Sequence, residues 1–482
     1  MTPEASAHMV HALAAQRGAR VIETHISWVL LTADRAWKLK KPLHLPFLDH
    51  RTLAARQFSC AEELRLNGRL APGLYLGVDA ITGTPEAPVI GGAGEPIDYA
   101  VRMWRFADGA LFSERVEAGT LQAPAVDALA QLLADFHAQA PTADPAMGFG
   151  TPEQRREAAL AAAAGAAQRM EEPLPDLQAW IDHEADRLTP LWTERLAQGH
   201  VREGHGDLHL ANIVLLEDGD AQRPSTVAAF DGIEFAPALR WIDVLDDLAF
   251  AVMDFAARGR RDFAFRLLNG WLDRTGDHAA LPALRMACVY RALVRAHVHA
   301  LRGAREPARH YVAQARAWSA EGEPRLCITH GLPASGKSVR SLDWLQTHGG
   351  IRLRSDVERK RLFGLPMLAS THAAAVDAYT AEASQRTYAR LLDQARIALQ
   401  AGFPVVLDAA YLRRDERDAA RALARVLGVP FAILDCAAPM AVLRDRIAAR
   451  RGDASEANLE VLERLATVAE PLTADERGCI EG

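Results

Sequence analysis

An apolar stretch, Leu326 to Ile328, runs into Gly331-Leu-Pro-Ala-Ser-Gly336-Lys337-Ser338, and a helical pattern, Val339 to Gln346, follows at once. The spacing is GxxxxGK[ST], set between a strand and a helix as that motif requires. A strand must deliver such a loop, and a helix must point its N-terminus at the bound phosphates, so the C-terminal third has to be built of β-α-β units. Backbone NH groups of the loop cradle phosphate oxygens, with Gly331, Ser335 and Gly336 among the contacts. Lys337 bridges the outer phosphates and Ser338 holds Mg2+. Of 55 basic residues only five are lysine: Lys38, Lys40, Lys41, Lys337 and Lys360. A chance match that puts one of them at the motif's lysine is on the order of one in a few hundred chains.

Apolar runs at Ile351 to Leu353, Val405 to Leu407 and Phe431 to Leu434 alternate with helical patterns over 373–400 and 415–426. Right-handed crossovers make this a parallel sheet, with the phosphate site at the carboxyl ends of its strands. Arg354-Ser355-Asp356 follows the second strand, where an acceptor hydroxyl would approach. It resembles the Ser- and Asp-bearing segment of polynucleotide-kinase-like and zeta-toxin-like P-loop kinases, with Ser355 and Asp356 adjacent here, and the resemblance implies Asp356 as general base. Asp408, at the end of the third strand, is the Walker-B-like carboxylate, acting on Mg2+ through water or on the acceptor. Arg446, Arg450 and Arg451, a helical turn apart, resemble a lid over the transferring phosphoryl group. An exposed basic helix is the other reading in so Arg-rich a chain.

A second constellation lies upstream. In His205-Gly-Asp-Leu-His-Leu-Ala-Asn212, Asp207 precedes Asn212 by five, the separation found in the H-R-D-L-x-x-x-N loop of protein kinases. Two strand-like runs, Ile213 to Leu216 and Val227 to Phe230, flank the polar turn 217–220 and deliver Asp231. Asn212 and Asp231 then offer two oxygen ligands to one Mg2+, with Asp207 beside them to orient a hydroxyl. Three of the five lysines fall at 38, 40 and 41, in a β-rich region formed by Val21 to Leu31 and Ala36 to Lys40. Lys38 and Lys40, two apart, point to the same face. A helical pattern from Cys60 to Leu70 carries Glu62 and Glu63.

HGDLHxxN followed by an Asp after a hairpin resembles the aminoglycoside phosphotransferase branch of the kinase-like fold. With the P-loop, the whole chain resembles a bacterial two-domain family, an aminoglycoside phosphotransferase-like domain joined to an ATP-binding domain. The resemblance implies an α+β, protein-kinase-like bilobal domain followed by an α/β P-loop NTPase domain with a parallel sheet. It implies Lys38 as the residue on the α- and β-phosphates, Lys40 as second choice, and Glu63 or Glu62 as its partner. Ser27 or Thr24 would contact the nucleotide, and Met103 to Ala107 would form the hinge that receives adenine. Glu234 would assist the metal, and Arg240 with Asp243 would form a buried structural pair.

Turn residues Glu321-Gly-Glu-Pro324 set the boundary between a first domain, 1–320, and a second, 322–482. The first comprises a small lobe over about 20–108 and a helical lobe over about 120–320, in which the Ala-rich helical stretch 153–198 shapes the acceptor pocket. A net charge of −7 gives no footprint for broad nucleic-acid binding. No apolar run is long enough for a membrane span, and the five dispersed cysteines form no CxxC pair, so a cytoplasmic chain is expected. The expectation is an ATP- and Mg2+-dependent, bifunctional phosphotransferase acting on the hydroxyl of a small molecule, with a nucleic-acid 5′ end also admissible at the P-loop domain. A single P-loop kinase with a nucleotide-sensing kinase-like domain, or an ATP-switched interaction protein, are the alternatives.

Overall fold

A computed structural model describes residues 2–45, 48–216, 226–370, 380–449 and 455–481. The chain divides into two compact units, residues 1–157 with 189–251 and residues 158–188 with 252–482.

The first unit is organised on a six-stranded antiparallel sheet. Its strands run in the order Arg20–Glu23, Ser27–Leu31, Arg35–Lys40, Asp98–Trp104, Tyr75–Gly83, Pro88–Ile90. Alternation along Arg35–Lys40 separates two faces. Trp37 and Leu39 pack with Trp28, Leu30 and Ile81 against Met9, Val10 and Leu13 of the helix Pro3–Arg17. Ala36 packs on the opposite face with Cys60, Val101 and Met103, so Lys38 and Lys40, which share its face, are directed to the helix Leu53–Asn67. That helix starts seven residues before the sequence pattern suggested, because Thr52 caps it by accepting from the Ala55 NH at 3.1 Å. Below the sheet come the helices Phe112–Glu117 and Ala123–Gln139, the loop 204–212, and the hairpin Ile213–Leu216 with Thr226–Ala229. The turn of this hairpin, read as polar from 217–220, lies outside the described residues.

The second unit holds a four-stranded, wholly parallel sheet in the order Ile351–Arg354, Val405–Asp408, Leu326–His330, Phe431–Asp435. Ile480 adds a single parallel bridge beyond Phe431–Asp435. The helices Arg261–Thr275, Leu281–Leu301 and Arg305–Ser319 belong to the same unit. Asn269 serves the sheet's edge strand as a further strand would: its amide donates to the Gly350 carbonyl at 2.9 Å and accepts from the Arg352 NH at 2.6 Å. Phe265 packs on Trp318 and Phe403. Contacts therefore group these helices with the P-loop sheet, whereas the sequence boundary at 320–322 follows turn chemistry. The helical pattern expected over 373–400 is seen as Ala381–Gln400, since 371–379 are not described. Cys60, Cys288, Cys327 and Cys436 are buried free thiols. Among the described residues no helix is long and apolar enough to cross a membrane.

Candidate active sites

In the first unit the lysine strand, the Glu63 helix and the two loops around Asp207 and Asp231 converge. The Lys38 ammonium donates to Glu63 Oε1 at 2.9 Å and also to Asp231. Lys40, fully buried, donates to the other Glu63 oxygen and to Glu234. Glu62 is instead paired with Arg65, which decides between the two glutamates. The resemblance ranks Lys38 ahead of Lys40, yet both ammonium groups use Glu63.

Burial opposes the charged forms of Lys38, Lys40, Glu63 and Glu234; partners outweigh it for the first three and burial prevails for Glu234. Burial would lower Lys38, but Asp231, Glu63 and Glu234 hold its ammonium well above the usual range. Lys40 is likewise raised against burial, by Glu234 and Glu63. Glu63, between two ammonium groups, is driven low despite its burial. Glu234 is pushed up, by burial that Lys40 only partly offsets and by the repulsion of Glu63.

Asp207 is fixed from its own loop: Asn212 Nδ2 donates to the Asp207 carbonyl at 2.9 Å and to its carboxylate at 3.2 Å, and His209 Nε2 lies 3.4 Å from that carboxylate. The Phe230 NH donates to the Asn212 carbonyl at 3.0 Å, which places Asn212 across the hairpin from the residue preceding Asp231. Asp231 itself has φ of 62°, a left-handed conformation uncommon outside glycine, and its NH donates to the Tyr75 hydroxyl at 3.2 Å. Its side chain stays about half exposed, at 47%. Among the described residues no three His, Cys, Asp or Glu side chains cluster as a metal cage. An Asn and a half-exposed Asp suit Mg2+, which takes one or two protein oxygens and completes its shell with phosphate and water. Ser27 is buried, and its hydroxyl has no partner among the described residues.

Several residues of this site carry no local signal. Asp247 accepts from the NH groups of His205 at 2.8 Å and Gly206 at 2.9 Å. This buried carboxylate, which His137 also contacts, shapes the turn that presents Asp207. Tyr75, on the Asp231 NH, and the pairing of Glu234 with Lys40 carry no spacing signal either. Glu234 was expected at the metal, but its carboxylate is buried against Lys40. The expected Arg240–Asp243 pair does not form: Arg240 pairs with Glu203 at 3.2 Å, and Asp243 takes a bidentate contact from Arg195 at 2.7 and 2.8 Å. Helix-forming sequence between 152 and 197 supplied that competing arginine.

In the second unit Gly331 (φ 144°) and Gly336 (φ 99°) take conformations that side chains rarely adopt, and Ala334 (φ 64°) shares the left-handed region. A Cβ on Gly331 would lie 2.2 Å from the Cys436 carbonyl oxygen, so the loop is folded tightly against the end of Phe431–Asp435. Lys337 Nζ donates to the Gly331 and Leu332 carbonyls at 2.9 and 2.7 Å. The Ser335 hydroxyl and one Asp408 oxygen are buried without a hydrogen-bond partner among the described residues, as unfilled donor and acceptor positions for a polar ligand would be. Arg354 and Asp408 are neighbours in strand register, with Arg354 Nε 3.9 Å from Asp408 Oδ2. Asp356 opens the helix Ser355–Leu362 just beyond. Ser338 sits in the first turn of Lys337–His348. Arg446 donates to the Ala334 carbonyl at 3.0 Å, reaching the loop itself, while Arg450 and Arg451 lie outside the described residues.

The family of the AAA domain matches residues 326–472. The uncharacterized proteins Rv2004c of Mycobacterium tuberculosis and Mb2027c of Mycobacterium bovis are each 32% identical over 461 residues, covering 92% of this chain and 89% of theirs. Among solved structures, a glucosamine kinase aligns with a TM-score of 0.35 at 18% identity, over 65% of this chain and 80% of that one. A sugar kinase from Janibacter aligns with a TM-score of 0.26 at 19% identity, over 32% and 82%. Those scores are low, and the fold rests on the strand orders and contacts above. The fold joins a protein-kinase-like part to a P-loop part. The chain belongs to one family with these mycobacterial relatives, and its C-terminal part is a P-loop domain.

Proposed function

We propose that the chain is an ATP- and Mg2+-dependent phosphotransferase with two nucleotide sites, each passing the γ-phosphoryl group to the hydroxyl of a small molecule. The observation that carries the first site is the meeting of Lys38, Glu63 and Asp231 in one ion-paired set. Glu63 holds Lys38 extended for the phosphates, and Asn212 and Asp231 would hold the metal, whose charge would offset that of the transferring group. Asp207 accepts the proton of the acceptor hydroxyl as its oxygen bonds to the γ-phosphorus and the bond to the bridging oxygen of ADP breaks.

In the second site the loop from Gly331 to Ser338 binds the phosphates, Lys337 leaves its own carbonyls for them, and Asp408 and Ser338 would hold the metal. Asp356 takes the acceptor proton and Arg446 stabilises charge on the transferring group. Both sites act by positioning and electrostatics, without a covalent intermediate. The test is transfer from radiolabelled ATP across a panel of hydroxyl metabolites and oligonucleotides. Asp207→Ala and Asp356→Ala are each expected to lower transfer to a distinct acceptor about 10²- to 10⁴-fold. Transfer to every acceptor unchanged by either substitution would end the proposal.

A further inference from the structure

Lys40 is a fully buried charge beside the first site that the mechanism above leaves unused. Removing a second ammonium from water beside Lys38 carries a desolvation cost, and a Lys38–Glu63 pair alone does not require it. Lys40 spends its contacts on Glu63, from the helix Leu53–Asn67, and on Glu234, three residues beyond Asp231. The turn between Asp231 and Glu234 is tied down by the Gly232 NH on Asn67 Oδ1 at 2.8 Å and by the Ile233 NH on the His205 carbonyl at 2.9 Å.

Two ion pairs therefore join the lysine strand to this turn: Lys38–Asp231 at the half-exposed end and Lys40–Glu234 beneath it. On the function proposed above, on which this inference rests, the first must open when Mg·ATP binds, because Lys38 goes to the phosphates and Asp231 to the metal. The second involves neither ligand. It can persist while the first is exchanged, and it shares Glu63 with Lys38.

We propose that Lys40 and Glu234 are positioning residues for the metal-bound nucleotide, a permanent latch that keeps the strained Asp231 turn registered against the Glu63 helix when Lys38 lets go of Asp231. Substitution of Glu234 is then felt chiefly through the metal ligand, whereas substitution of Lys38 is felt through the phosphates themselves.

The test uses the full chain with Lys337→Ala to silence the P-loop site, titrated calorimetrically with Mg·ATP and with ATP in EDTA. Glu234→Gln, which keeps a hydrogen-bond acceptor for Lys40, is expected to weaken Mg·ATP about tenfold, or roughly 1.4 kcal/mol, and to leave metal-free ATP unchanged. Lys38→Met is expected to weaken both. Lys40→Met/Glu234→Gln removes both partners of the latch, keeps the test readable if Glu234→Gln unfolds, and is expected to show the same metal-specific loss. Parental Mg·ATP affinity in both latch variants, or equal losses with and without metal, would overturn the latch. Absence of Mg·ATP binding in the Lys337→Ala chain, or binding indifferent to Lys38→Met, would overturn the function itself and the latch with it.

Discussion

Lys38 is held by carboxylates from elsewhere in the chain, Asp231 being 193 residues away, whereas Lys337 is held by two carbonyls of its own loop. The first site is thus pre-organised by buried charge drawn from distant segments, the second by backbone conformation within eight residues. Their vulnerabilities differ accordingly. Neutralising a side chain should harm the first, because a buried partner is left uncompensated. Adding a single methyl group should harm the second.

The largest effect that would sharpen this contrast is expected from Gly331→Ala. The added carbon meets the Cys436 carbonyl at 2.2 Å, and φ is 144°, so distortion on the order of 3 kcal/mol or more falls on the phosphate loop. Nucleotide binding dependent on Lys337 should be lost while binding dependent on Lys38 persists. Unchanged binding at the loop would remove the claim that backbone conformation organises it.

A smaller effect would blur the contrast in an informative way. Asn269→Ala strips partners from the Gly350 carbonyl and the Arg352 NH, and is expected to cost about 1–3 kcal/mol in denaturant unfolding. The strand that leads to Asp356 would then depend on a side chain from outside the motif. Wild-type stability would show the sheet edge to be self-sufficient.

A further effect, expressed only as the pH is lowered, concerns His50. Burial, then the Lys40 and Arg56 charges, lower His50 from 6.5 to about 4. The unfolded chain therefore binds a proton there that the folded chain refuses, and stability falls as pH drops from about 6.5 through about 4. His205, also lowered by burial, acts in the same direction. Unfolding curves across that window should show a shallower slope in His50→Gln; an identical slope would mean that His50 titrates normally.

This contrast also explains what could be read from the sequence. The loop from Gly331 to Ser338 was legible because its residue types are fixed by its own backbone geometry, even though distant residues such as Cys436 and Arg446 pack on it. The alternation of Arg35–Lys40 showed that Lys38 and Lys40 share a face, but not that one glutamate serves both, since Glu62 and Glu63 are adjacent in the helical pattern. Asp247 acts through NH groups some forty residues upstream, and no spacing rule marks such a contact. The family resemblance implied a pair of Arg240 with Asp243, yet Arg195 offers Asp243 the bidentate geometry from a helix that no motif links to it.

The most direct measurement is the number of Mg·ATP molecules bound per intact chain, with Lys38→Met and Lys337→Ala alongside. Two nucleotides per chain are predicted, with one remaining in each variant and none in the double variant. One nucleotide per chain, abolished by Lys337→Ala and untouched by Lys38→Met, would contradict the account.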